Sequence, residues 1–147
     1  MQKLHVHYDF NAPRNTVWAF LLDFGDIEAW WPKGEIVDID HVDLEGEGIG
    51  MIRHIYNVGF DHALSERLDA LDPENHVLKL SIVCDRPVGL LRYQATGQLS
   101  ELEGGGCRLT YDSEFVTEKG REKEAEEFLL AAYALMFRGL DSASSYH

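Results

Sequence analysis

Hydrophobic and polar residues alternate along most of the chain, and the alternation gives way to helical spacing at two places. In residues 3–10, Leu4, Val6, Tyr8 and Phe10 share one face, with Lys3, His5, His7 and Asp9 on the other. That period of two predicts a half-buried strand. Ala12-Pro13-Arg14 then opens a helix, with Pro13 suited to its first position. Val17, Trp18, Phe20 and Leu21 form its apolar face. A second short helix is expected over 26–31, ending at Pro32.

Strands are expected next at 35–42, 50–58 and 62–71, the last two forming a hairpin about Gly59-Phe60. Residues 76–84 place Leu78, Leu80, Ile82 and Cys84 on one side. Residues 90–102 set Leu91, Tyr93, Ala95, Gly97 and Leu99 against Arg92, Gln94, Thr96, Gln98 and Ser100. After a Gly104-Gly105-Gly106 turn, residues 107–116 set Leu109, Tyr111, Ser113 and Phe115 against Arg108, Thr110, Asp112 and Glu114. Such alternation means one wet and one covered face, as in an antiparallel sheet. A helix over about 119–140 closes the chain, with Glu122, Glu124, Glu126 and Glu127 suited to its positive end. Phe128, Leu129, Ala132, Leu135 and Met136 recur along it at helical spacing. One helix cannot fill the concavity of so large a sheet, so an internal cavity of a few hundred Å3 or more is expected, on the order of known small-molecule sites.

The 147 residues fit one domain, 1–147, and 45% are apolar, enough for a core. No stretch approaches the roughly 20 apolar residues of a membrane span, and residues 1–5 lack the apolar run of a signal peptide. A cytoplasmic location is therefore expected. The formal net charge of −13 argues against nucleic acid and anionic membranes as partners. Cys84 and Cys107 form no paired motif and read as free thiols in a reducing compartment. Seven histidines are present, but His5, His7, His41, His54, His62, His76 and His147 show no metal-ligand spacing. Neither a nucleophile elbow nor a phosphate loop is present, and no metal or cofactor is expected.

The order strand, two helices, six strands, long helix resembles the START-like, or SRPBCC, superfamily. Specific stretches carry the resemblance: Ala12-Pro13 with Val17-Trp18, Leu22-Asp23-Phe24 with Trp30-Trp31-Pro32, Gly48 to Arg53, and Ser65 to Asp72. The resemblance implies an α+β helix-grip fold: a curved antiparallel six- to seven-stranded sheet around a long C-terminal helix, with two short helices after the first strand. The superfamily includes birch-pollen-allergen-like proteins, plant hormone receptors, lipid-transfer domains and aromatic polyketide cyclases. The hormone receptors' gate is replaced here by Asn57-Val58-Gly59-Phe60-Asp61, and their latch by residues 85–90. The fourth-strand tryptophan common in the cyclases is missing from residues 62–71.

Candidate site residues follow from register and from the resemblance. A hairpin about Gly59-Phe60 sets Ile55 against Leu64 and Arg53 against Glu66, both charges facing inward. They form either a structural ion pair or the polar floor of a pocket. Lys33 resembles the position of a ligand-binding lysine in the hormone-receptor branch, or is an ordinary lysine in a turn. Tyr93, Tyr111 and Ser113 offer inward hydroxyls, and Trp30 and Trp31 are candidates for the pocket mouth. The ligand-binding set is completed by Ile55, Asn57, Leu80, Ile82, Phe128, Ala132 and Met136. Three functions remain open: binding of a small hydrophobic or amphipathic ligand, a cofactor-independent cyclase or dehydratase using Arg53, Glu66 and Tyr93, and a protein-interaction domain with a packed interior. The oligomeric state is also open, a homodimer included.

Overall fold

The computed structural model describes residues 1–145, so His147 lies outside the described residues. Seven strands form one antiparallel sheet: β1 (Gln2–Phe10), β2 (Ile39–Glu45), β3 (Ile52–Asn57), β4 (Leu64–Asp72), β5 (Val77–Val83), β6 (Leu90–Glu101) and β7 (Cys107–Thr117). Their order across the sheet is β1-β7-β6-β5-β4-β3-β2. The helices are α1 (Arg14–Leu22), a 3-10 helix (Phe24–Ala29) and the long α2 (Glu122–Ser144). This is the expected α+β helix-grip architecture, with α2 lying along the inward face of the curved sheet.

The alternation fixes which face is inward. On β1, Lys3, His5, His7 and Asp9 are exposed while Phe10 is buried. His5 pairs with Asp112, and Arg108 donates to Asp9 at 2.6 and 3.0 Å, across the wet side of β1 and β7. Inward, Leu78, Leu80 and Ile82 of β5 meet Tyr93, Ala95 and Leu99 of β6 and Leu109, Tyr111 and Phe115 of β7 in one core. Helix α2 contributes Ala125, Leu129, Tyr133, Met136, Phe137 and Leu140 to that core. Gly139 lets α2 approach the backbone carbonyl of Trp30 so closely that a Cβ there would collide with it. The turn before β2 is thereby seated on the helix.

Several boundaries differ from the sequence reading. β2 begins at Ile39, not 35. The Trp31 indole N–H donates to the Val37 carbonyl at 2.8 Å and folds the preceding segment back on itself. β5 ends at Val83. Cys84 has a φ of 62° and is exposed, so it does not continue the inward row. An irregularity between Leu90 and Arg92 in the β6–β7 register resets the phase, burying Leu90 and leaving Leu91 49% exposed. Pro13 precedes the first helical residue rather than occupying it, and the second short helix is a 3-10 helix starting at Phe24.

Candidate functional site

The β3–β4 hairpin has the expected register: Ile52 faces Arg67, Arg53 faces Glu66 and Ile55 faces Leu64. Arg53 and Glu66 therefore point inward, their side chains only 10% and 14% exposed. Arg53 Nε and Nη2 both reach Glu66 Oε1, at 2.8 and 2.7 Å. Arg53 Nη1 donates to the Phe24 carbonyl at 3.0 Å, and the guanidinium carbon lies 3.9 Å from the Phe24 ring centroid. The guanidinium is thus held by a carboxylate, a carbonyl and an aromatic face. It ties the 3-10 helix to β3 and β4.

Above this pair is a chamber of about 90 Å3. Its walls are Ile55, Leu80, Ile82, Tyr93 and Tyr111 from the sheet, Phe128, Ala132, Tyr133 and Met136 from α2, and Trp30 and Trp31 from the turn before β2. Arg53 and Glu66 line it as well. A second cavity of about 390 Å3 lies outside, between the β3–β4 hairpin tip and the β5–β6 loop, with Asn57, Phe60, Asp85 and Val88 among its walls. Val37, Leu64 and Phe128 line both cavities, so the two adjoin. The inner space is smaller than the few hundred Å3 expected, because Trp30, Trp31 and Tyr133 fill much of the concavity.

The polar groups deep in the site are linked hydroxyls. The Tyr93 and Tyr133 hydroxyls lie 2.5 Å apart, and Tyr133 donates to Ser113 Oγ at 2.8 Å. The Tyr111 ring meets Tyr133 edge-on at 5.0 Å between centroids. Burial pushes the Tyr133 phenol up to about 12, with the Glu66 carboxylate adding to the shift and the bonds to Ser113 and Tyr93 opposing it. Burial also raises Tyr93 and Tyr111 well above the ordinary phenol value; Tyr133 and Glu66 add to both shifts, while Arg53 and a bond to Tyr93 oppose that of Tyr111. At neutral pH all three are therefore neutral hydroxyls.

Their titration has a sign. A phenol that stays protonated in the folded chain but ionises near 10 when unfolded contributes stability present below about pH 10. That contribution is lost as pH rises toward the folded value of about 12 for Tyr133. Stability is expected to fall between about pH 10 and 12. Tyrosinate absorbance should then rise in two stages, exposed tyrosines first and the buried cluster only with unfolding. A single early rise with the fold intact would show that the cluster is open to solvent.

Not every expected residue reaches the chamber. Lys33 does not: it is 59% exposed, and its ammonium lies 3.4 Å from Glu28 Oε2 and donates to the Ile39 carbonyl at 3.1 Å. Lys33→Met is accordingly expected to leave ligand affinity unchanged, by titration calorimetry with compounds that bind the wild-type chain. A loss of more than about tenfold would mean that the ammonium turns inward on binding. Asn57 lines the outer cavity only, and Ser113 lies behind the chamber as the partner of Tyr133. Tyr133 itself was missed, although its signal was there: Leu129, Tyr133, Met136, Phe137 and Leu140 continue one helical stripe. Among the described residues no group of three His, Cys, Asp or Glu side chains is placed to hold a metal ion. Both cysteines are free, Cys84 exposed and Cys107 buried, where burial pushes the thiol up to about 11. No helix among the described residues is long and apolar enough to cross a membrane.

Known structures share this architecture. Norcoclaurine synthase from Thalictrum flavum, solved with dopamine and hydroxybenzaldehyde, superimposes with a TM-score of 0.82 at 17% identity, covering 99% of this chain and 87% of that one. The protein XoxI from Bacillus cereus superimposes with a TM-score of 0.83 at 20% identity, covering 99% and 97% of the two chains. At such identities the likeness is one of fold. The family model described as polyketide cyclase / dehydrase and lipid transport matches residues 1–144, and the chain belongs to that family.

Proposed function

We propose that this domain binds a small, mainly apolar molecule, one end of which enters the inner chamber while the rest lies in the outer cleft. The observation that carries this reading is the composition of the chamber wall. It is apolar apart from neutral hydroxyls, two indoles and one charge pair whose members bond each other within the protein. A chamber of about 90 Å3 accommodates a compact group and not a whole lipid. With the cleft beside it, the space approaches that of ordinary small-molecule sites. The ligand class is a lipid, a polyketide or an aromatic compound, bound in a reducing, cytoplasmic setting that suits two unpaired cysteines. A protein-interaction domain with a packed interior fits less well, since the interior retains a cavity.

A cyclase or dehydratase is the second reading, favoured by the family description and by the Tyr93–Tyr133–Ser113 chain beside Glu66. Against it, acid–base chemistry is best served by a group titrating near the working pH. Burial drives the three phenols the other way. A panel of polyketide-like, aromatic and fatty-acid compounds, scored for thermal shift and for product, separates the two. Binding without product supports a carrier. Product formation that disappears in Tyr93→Phe, with affinity within about 1–2 kcal/mol of wild type, would replace it with an enzyme.

A further inference from the structure

We infer that Trp30 selects ligands carrying a neutral hydrogen-bond acceptor, such as a ketone, aldehyde, ester or lactone, with its indole N–H as the donor in the inner chamber. This rests on the ligand-binding reading above and specifies the chemistry of the group that enters. Among the described residues, four buried polar side-chain atoms have no hydrogen-bond partner: Arg14 Nε, Trp30 Nε1, Asn57 Oδ1 and His76 Nδ1. Two of the four belong to cavity walls, Trp30 to the chamber and Asn57 to the cleft. Arg14 and His76 each have a partner at another atom: Arg14 Nη2 lies 3.2 Å from Glu101, and His76 Nε2 lies 3.0 Å from Asn15. Trp30 has no such second atom. Its N–H is the only polar group of the side chain, and the residue is 7% exposed.

The neighbouring indole makes the contrast plain, since the Trp31 N–H is spent on the Val37 carbonyl at 2.8 Å. Several acceptors around the chamber have partners other than Trp30: Glu66 Oε1 bonds Arg53, and the Tyr93 and Tyr133 hydroxyls bond each other and Ser113. A buried donor left unpaired is costly, so a ligand oxygen that satisfies it gains what a hydrocarbon of the same shape cannot. An indole N–H donates and never accepts, so the polarity of the selection is fixed. The amide of Asn57 can turn either end to the cleft and imposes no such polarity. A carboxylate is the wrong acceptor, because Arg53 is already paired and a second anion in an apolar chamber would be left without a counter-charge.

Acetophenone and α-methylstyrene test this directly. They share a shape and differ in C=O against C=CH2. Their affinities for the full chain are measured by NMR titration in wild type and in Trp30→Phe, and the two affinity ratios are compared, which cancels the different hydration of the two compounds. The acetophenone preference should be about tenfold greater in wild type than in Trp30→Phe, the effect of one buried hydrogen bond. In wild type, acetophenone should also move the Trp30 indole N–H resonance downfield and α-methylstyrene should not, a readout that stands even where Trp30→Phe fails to fold. Binding of both compounds with equal ratios and an unmoved indole resonance overturns the role of Trp30 and leaves the ligand reading intact. Failure of both compounds to bind wild type overturns the role of Trp30, whereas the ligand reading is overturned only by a wild-type chain that stays bare across the panel of polyketide-like, aromatic and fatty-acid compounds.

Discussion

Glu66→Ala is expected to destabilise the domain by about 3 kcal/mol or more, toward the lower part of the roughly 3–5 kcal/mol range for breaking a buried pair. The side chains of Arg53 and Glu66 are 10% and 14% exposed, so removal of the carboxylate leaves a cation with little water to replace it. The loss sits at the lower end because Arg53 keeps its bond to the Phe24 carbonyl and its place over the Phe24 ring. For a domain of this size that corresponds to a fall in Tm of roughly 10 °C. The paired replacement Arg53→Met with Glu66→Leu should recover most of the loss, since it removes both charges and fills the space with apolar atoms. A Tm unchanged by Glu66→Ala would mean that the pair is solvated, and with it the floor of the chamber.

Ala132→Phe should abolish ligand binding while leaving the fold in place. Ala132 is the smallest side chain on the α2 side of the chamber, and a benzyl group there would occupy most of a space of about 90 Å3. Affinity should drop at least about 100-fold, equivalent to ~2.7 kcal/mol. Filling an existing void offsets the cost of crowding, so the melting temperature should shift by only a few degrees in either direction. Retained binding would place the ligand in the outer cleft alone, against Phe60 and Val88.

The sheet was legible in the sequence because each strand has one wet face. The run from Lys3 to Asp9 or from Arg108 to Glu114 admits a single phase. The Arg53–Glu66 contact was legible for the same reason once Gly59-Phe60 marked the hairpin tip, since the turn sets the register. Where the backbone departs from regular pairing, the pattern misled: the irregularity between Leu90 and Arg92 turns Leu91 outward, and the positive φ at Cys84 ends β5 early. Lys33 was placed by likeness to a family position, but the local turn carries its ammonium to Glu28 and the Ile39 carbonyl instead. The size of the chamber was not legible at all. It depends on how far Trp30, Trp31 and Tyr133 reach into the concavity, which is a matter of rotamers and helix placement. Gly139 illustrates the point, since its missing side chain sets how closely α2 approaches Trp30.

Native mass spectrometry of wild type and Ala132→Phe, each with the same panel of apolar and amphipathic compounds, reads the occupancy of the chamber itself. The wild-type chain of 16.7 kDa should carry one bound molecule of at least one panel compound, and Ala132→Phe should carry none. Bare chain in every wild-type spectrum, or equal occupancy in the two proteins, would contradict an internal ligand chamber.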